Sequence, residues 1–139
     1  MNLIYRDITR YKYQVAQNYQ HQTDILGFDI ETKFLSLNPA GLLTIREGYL
    51  SDGSSGPTID TEASMRGPFV HDALYELMRR SLLPIEYRPY ADKLFREILL
   101  EDGVLPARAK VWYDMVRVMA SGCAEPGTEL DRTFCAGKE

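Results

Sequence analysis

Cysteine is almost missing from this chain: Cys123 and Cys135 are the only two, both near the C-terminus. That is too few for a disulfide framework or a closed zinc site, although one bridge across their 12-residue spacing stays open. A reducing compartment is the simpler expectation. Histidine is equally scarce, so any imidazole chemistry must use His21 or His71. No stretch approaches the roughly 18 apolar residues of a membrane span. The opening Met1-Asn2-Leu3-Ile4-Tyr5-Arg6-Asp7 has no basic segment followed by an apolar one, so no secretory signal is expected. Basic clusters are absent too: 16 Lys and Arg against 20 Asp and Glu give a formal charge of -4, which argues against nucleic-acid binding by phosphate neutralisation.

What remains is an ordinary globular composition, 139 residues with 45% hydrophobic and 26% charged, enough for one core. A single domain is expected over residues 1–122, with a poorly ordered tail over 123–139. Strand signals come first and helix signals second, the order of an α+β domain. Tyr11, Tyr13 and Val15 alternate at the period of a half-buried strand. Phe34 and Leu35 lead into the turn residues Asn38-Pro39-Ala40-Gly41, and Leu42-Leu43-Thr44-Ile45-Arg46 resumes, which predicts a hairpin. Ser51-Asp52-Gly53-Ser54-Ser55-Gly56-Pro57-Thr58 reads as a loop.

Three helices follow. Pro68, Pro89 and Pro106 each suit a first helical turn, where the missing N–H has no intrahelical partner. The first helix carries Phe69, Val70, Ala73, Leu74, Leu77 and Met78. The second carries Ala91, Leu94, Phe95, Ile98 and Leu99 and ends at Gly103. The third carries Ala109, Val111, Trp112, Met115, Val116 and Met119 and ends at Gly122. The fold expected is an N-terminal antiparallel sheet of three or four strands followed by a three-helix unit. Leu82, Leu83 and Ile85 are read as packing under their own loop rather than as a lipid-facing patch.

His21 sits among polar residues of a strand-like segment and carries little functional weight. His71 lies inside an apolar helix, directly before Asp72 and four residues before Tyr75. Helical geometry stacks His71 and Tyr75 on one face and rotates Asp72 by about 100°. An imidazole whose tautomer a carboxylate fixes is a general base, and Asp92, bordering the apolar stripe of the next helix, is the acid expected to pair with it. Asp72 is then available to a hard cation, with carbonyl oxygens of the Gly-rich loop as further ligands; oxygen donors suit calcium.

Those residues carry two resemblances. The segment 48–122, with Asp52-Gly53-Ser54-Ser55-Gly56-Pro57, His71-Asp72-Ala73-Leu74-Tyr75, and Ala91-Asp92 followed by Phe95, resembles an uncharacterised family of small tailed-bacteriophage proteins. That implies a phage origin and no established activity. The order of Gly-containing loop, His-Asp-x-x-Tyr and Ala-Asp is similar to the calcium-dependent phospholipases that cut the sn-2 ester, especially the disulfide-free version in parvovirus capsids. This second resemblance implies that His71 activates water, Asp92 orients His71, Tyr75 braces Asp92 and Asp72 binds calcium. It also implies that loop carbonyls of Tyr49, Ser51 and Gly53 complete the metal site, Ser51 standing where that family has its first loop glycine.

The plainer alternative is that His71 is structural and that Asp72 and Asp92 merely answer the positive dipole of their helix N-termini. The expected function is therefore hydrolysis of a lipid or other acyl ester with calcium, in the host cytoplasm or the virion. The competing expectation is a non-enzymatic phage tail or virion component, or a protein that binds a small molecule or a host protein, in which the His-Asp motif only locks helices.

Overall fold

The computed structural model describes residues 3–7, 13–51 and 65–119. The chain divides into two compact units, Met1–Ser51 and Asp52–Glu139. Among the described residues the elements of the first are strands: β1 (Tyr5–Asp7), β2 (Tyr13–Val15), β3 (Tyr19–Gln22), β4 (Ile30–Glu31), β5 (Leu35–Leu37), β6 (Leu42–Ile45) and β7 (Leu50–Ser51). They form a four-stranded antiparallel sheet in the order β3-β6-β5-β4 and a three-stranded antiparallel sheet in the order β1-β2-β7. Helices follow in the second unit, so the fold is α+β, with a second small sheet that the sequence pattern did not reveal.

The expected hairpin is present. Leu35 pairs with Ile45 and Leu37 with Leu43; all four are fully buried, and Ser36 and Thr44 alternate with them on the other face. Each aliphatic side chain so buried contributes about 1.5–3 kcal/mol. The turn is set by two residues: Asn38 Oδ1 accepts the amides of Ala40 and Leu42 at 3.0 and 2.9 Å, and Gly41 adopts φ +89°. A Cβ at Gly41 would lie 2.5 Å from the Thr23 carbonyl oxygen, so no other residue fits there without movement. On β3, Tyr19 and His21 share a face, and the Tyr19 hydroxyl lies 3.0 Å from His21 Nδ1.

The second unit contains α1 (Arg66–Arg79), α2 (Arg88–Glu101) and α3 (Pro106–Met119), with a 3-10 turn over Ile85–Tyr87. All three prolines stand in the opening turn of their helices, as expected. Gly103, at φ +92°, closes α2, with the amide of Val104 bonded back to the carbonyl of Leu99 at 3.0 Å. Ser81 plays the same part after α1 at φ +61°, with the amide of Leu82 on the carbonyl of Leu77 at 2.9 Å.

Helices α1 and α2 pack through Phe69, Val70, Ala73, Leu74 and Leu77 on one side and Ala91, Leu94, Phe95, Ile98 and Leu99 on the other, all buried. Gly67 permits the approach, since a Cβ there would already lie 3.3 Å from Leu99 Cδ2 and 3.4 Å from Phe95. At the same end Arg66 bonds Asp102 at 2.9–3.2 Å and Glu101 at 2.9 Å. Helix α3 buries Ala109, Trp112 and Val116. Val111, expected in that stripe, is instead 54% exposed because it is rotated off the face that Ala109, Trp112 and Val116 define. Of the three residues read as packing under their loop, Leu83 is buried and Ile85 half-buried, but Leu82 is exposed. Gly122 and the expected tail over 123–139, with both cysteines, lie outside the described residues. Among the described residues no helix is long and apolar enough to cross a membrane.

Candidate functional site

Helix rise places His71 about 12 Å before the end of α1 and Asp92 about 6 Å into α2. A tight antiparallel hairpin would leave the two out of level. The connection over residues 80–87, with its 3-10 turn, absorbs the offset, and His71 Nε2 lies 2.6 Å from Asp92 Oδ1. The Tyr75 hydroxyl, one helical turn beyond His71, donates to the same oxygen at 2.6 Å. The structure thus brings together His71, Tyr75 and Asp92, all three buried.

The other carboxylate oxygen faces cations. Arg117 Nη1 on α3 donates to Asp92 Oδ2 at 2.7 Å, and Arg88 Nε lies 3.9 Å away. Arg88 Nε also donates to the Tyr75 oxygen at 2.9 Å, while its Nη2 donates to the carbonyls of Val116 and Arg117 at 3.1 and 2.7 Å. Those carbonyls belong to the last turn of α3, which lacks intrahelical donors, so Arg88 caps that helix. Neither arginine stood out in the sequence, where a charged residue on a helix usually marks a solvated face. The available signals were the i,i+4 spacing of Arg88 to Asp92 and the position of Arg117 directly after the buried Val116.

Two ionisation effects follow. Burial would push the Asp92 carboxyl up, but the hydrogen bond and charge of His71 and the bonds from Tyr75 and Arg117 outweigh it and hold it below the usual carboxylate range. Burial first, and the neighbouring Asp92 charge second, push the Tyr75 phenol far above its ordinary value, so Tyr75 remains a donor. Because an ionised carboxylate only accepts, the proton between His71 and Asp92 belongs to His71 Nε2, and in the neutral ring Nδ1 carries the lone pair. The imidazole is fixed between Tyr75 and Phe95, with ring centroids 4.1 and 5.0 Å away. Phe95 is the aromatic three residues after Asp92 in the sequence motif.

The residues expected at a metal fall in both units. Asp72 is half-buried on α1. Tyr49 and Ser51 belong to the first unit, where the Tyr49 carbonyl accepts the amide of Val15 at 2.9 Å and Ser51 pairs with Tyr13 across β2 and β7. A carbonyl oxygen so bonded keeps a second lone pair for a cation. Gly53 lies outside the described residues. Among the described residues no group of three or more His, Cys, Asp and Glu side chains is arranged to hold a metal ion.

Comparison with known proteins adds one finding. A family model described as "Protein of unknown function (DUF1353)" matches residues 28–116. The chain belongs to this family. The DUF1353 match runs from the strands of the first unit through His71, Tyr75, Arg88 and Asp92 and ends at Val116, one residue before Arg117. No curated protein and no solved structure matched the chain.

Proposed function

We propose that the chain hydrolyses an acyl ester, with lipid esters as the substrate class, through a water molecule deprotonated by His71. The observation that carries this reading is the 2.6 Å contact between His71 Nε2 and Asp92 Oδ1, with Tyr75 on the same oxygen. Asp92 holds the ring in the tautomer whose Nδ1 accepts a proton. Water attacks the ester carbonyl as His71 Nδ1 takes its proton, and a tetrahedral oxyanion forms. The C–O bond to the leaving alkoxide then breaks as His71 returns that proton to it, leaving a carboxylic acid and an alcohol. Asp92 stays ionised throughout and stabilises the imidazolium. Calcium held at Asp72 would supply positive charge to the oxyanion. A tailed-bacteriophage setting, in the virion or the host cytoplasm, belongs to this proposal through the resemblance of the motifs.

A second reading has its own observation. His71 is 1% exposed and Asp92 is fully buried, with two arginines completing the cluster. Such a network locks three helices without any reaction, in a tail or virion component or in a protein that binds a small molecule or a host protein. The deciding experiment measures hydrolysis of labelled phospholipid vesicles and of a simple chromogenic ester, with calcium or chelator, for wild type, His71→Ala and Asp72→Asn. Hydrolysis predicts calcium-dependent turnover lost in both variants. Equal, negligible turnover in all conditions, with melting unmoved by calcium, favours the lock.

A further inference from the structure

We infer that the C-terminal turn of α3 is a releasable latch over the outer oxygen of Asp92. The inference stands independently of whether the site hydrolyses anything. Along its length helix α3 buries Ala109, Trp112 and Val116, half-buries Met115 and sets the Tyr113 ring 5.7 Å from the Arg96 guanidinium, whereas Val111 and Val118 are 54% and 74% exposed. Its last turn is held by charge. Arg117 Nη1 reaches Asp92 Oδ2 at 2.7 Å, and Arg88 Nη2 reaches back to the carbonyls of Val116 and Arg117.

The pair formed by α1 and α2 does not depend on those bonds. It keeps its own apolar interface, the close approach at Gly67, the Arg66 clamp on Glu101 and Asp102, and the bonds of His71 and Tyr75 to Asp92 Oδ1. Release of α3 therefore removes one donor from Asp92 and leaves two in place. The Arg117 side chain is 33% exposed, so water and salt compete for its ion pair, unlike the fully buried contact of His71 with Asp92. A terminal turn whose attachments are open to screening belongs at the low end of local stability. Its opening uncovers the Asp92 side of the His71–Asp92 pair.

Amide hydrogen exchange on the full chain tests this without any activity. The expected result is that amides of residues 113–117 exchange faster as NaCl rises from about 0.1 M to about 1 M, where the screening length falls from ~10 to ~3 Å. Amides of residues 70–78 and 92–99 should hold their rates. Arg117→Gln should accelerate the α3 amides by about tenfold or more, the scale of one lost charge-assisted bond, and leave α1 and α2 protected, and Arg88→Gln, which also removes a donor to Tyr75, should accelerate the α3 amides more than those of α1 and α2. Ordinary fraying of a helix end would not respond to a substitution on α2. Should either variant fail to fold, the salt series on wild type reads the same opening. Loss of protection in all three helices together, or α3 rates that ignore salt, overturns the latch.

Discussion

Arg88 and Tyr75 are joined by a 2.9 Å hydrogen bond in which the guanidinium Nε donates and the phenol oxygen accepts, while the phenol passes its own hydrogen to Asp92. Tyr75 is thus a relay between a cation and a carboxylate, and removing its oxygen strips a donor from one and an acceptor from the other. Tyr75→Phe keeps the ring packed against His71 and should cost about 1.5–3 kcal/mol, the range for a hydrogen bond to a charged group. Urea denaturation monitored by circular dichroism measures it. A change within a few tenths of a kcal/mol would mean that water replaces both bonds.

Asp92 gives the fold a specific dependence on acid. Its native carboxyl is held below the unfolded value of about 3.9, so its contribution is fully present above that pH and is lost as the pH falls through the lower native value. Asp92→Asn places an amide NH₂ against donors that need an acceptor. It should lower stability at neutral pH by about 3–5 kcal/mol, as breaking a buried ion pair does. The variant should also lose stability less steeply than wild type below about pH 4, because the titrating group is gone. Parallel stability curves for the two proteins across that range would show that Asp92 is not the group responsible.

The helices were readable in the sequence because Pro68, Pro89 and Pro106 mark their starts and the apolar residues recur at helical spacing. His71 and Tyr75 share a face for the same reason, and a carboxylate beside an apolar stripe, as at Asp92, must find a partner. Arg117 and Arg88 were not readable: whether a long cationic side chain folds back onto a buried acid depends on the packing of α3 against α2, which local spacing does not encode. The four-stranded sheet and its hairpin were expected, but the second sheet and the long-range pairing were hidden similarly. Tyr13 pairs with Ser51 and Tyr19 with Ile45, partners far away in the chain, and strands as short as Ile30–Glu31 carry no period to detect. Val111 shows the opposite error, an apolar residue counted into a stripe that helix rotation turns outward.

The paired helix ends make an internally controlled test. Ser81 and Gly103 occupy the same left-handed position after α1 and α2, but only one is glycine. A side chain in that conformation costs about 1–2 kcal/mol. Ser81→Gly should therefore stabilise the protein by up to about 1 kcal/mol, after the added freedom of the unfolded chain is subtracted, and Gly103→Ala should destabilise it by about 1 kcal/mol. A Cβ at Gly103 meets nothing within 4 Å, so backbone strain rather than a clash is what thermal melting would report. Destabilisation by Ser81→Gly would show that the serine side chain contributes more than its backbone strain costs.

His71→Phe separates shape from chemistry at the site. Phenylalanine keeps an aromatic ring between Tyr75 and Phe95 but removes both nitrogens, while Asp92 retains the bonds from Tyr75 and Arg117. The loss of one donor to a charged acceptor should lower stability by about 1–3 kcal/mol, leaving a folded protein on which kinetics can be read. If His71 is the general base, ester turnover falls by about 100-fold or more in that folded variant, since positioned proton transfer contributes on that scale. If the cluster only locks helices, the same stability loss appears while any turnover of the wild type survives. Measuring melting and vesicle hydrolysis on one preparation makes the two outcomes distinct, because a nitrogen is indispensable to proton transfer and largely replaceable in packing.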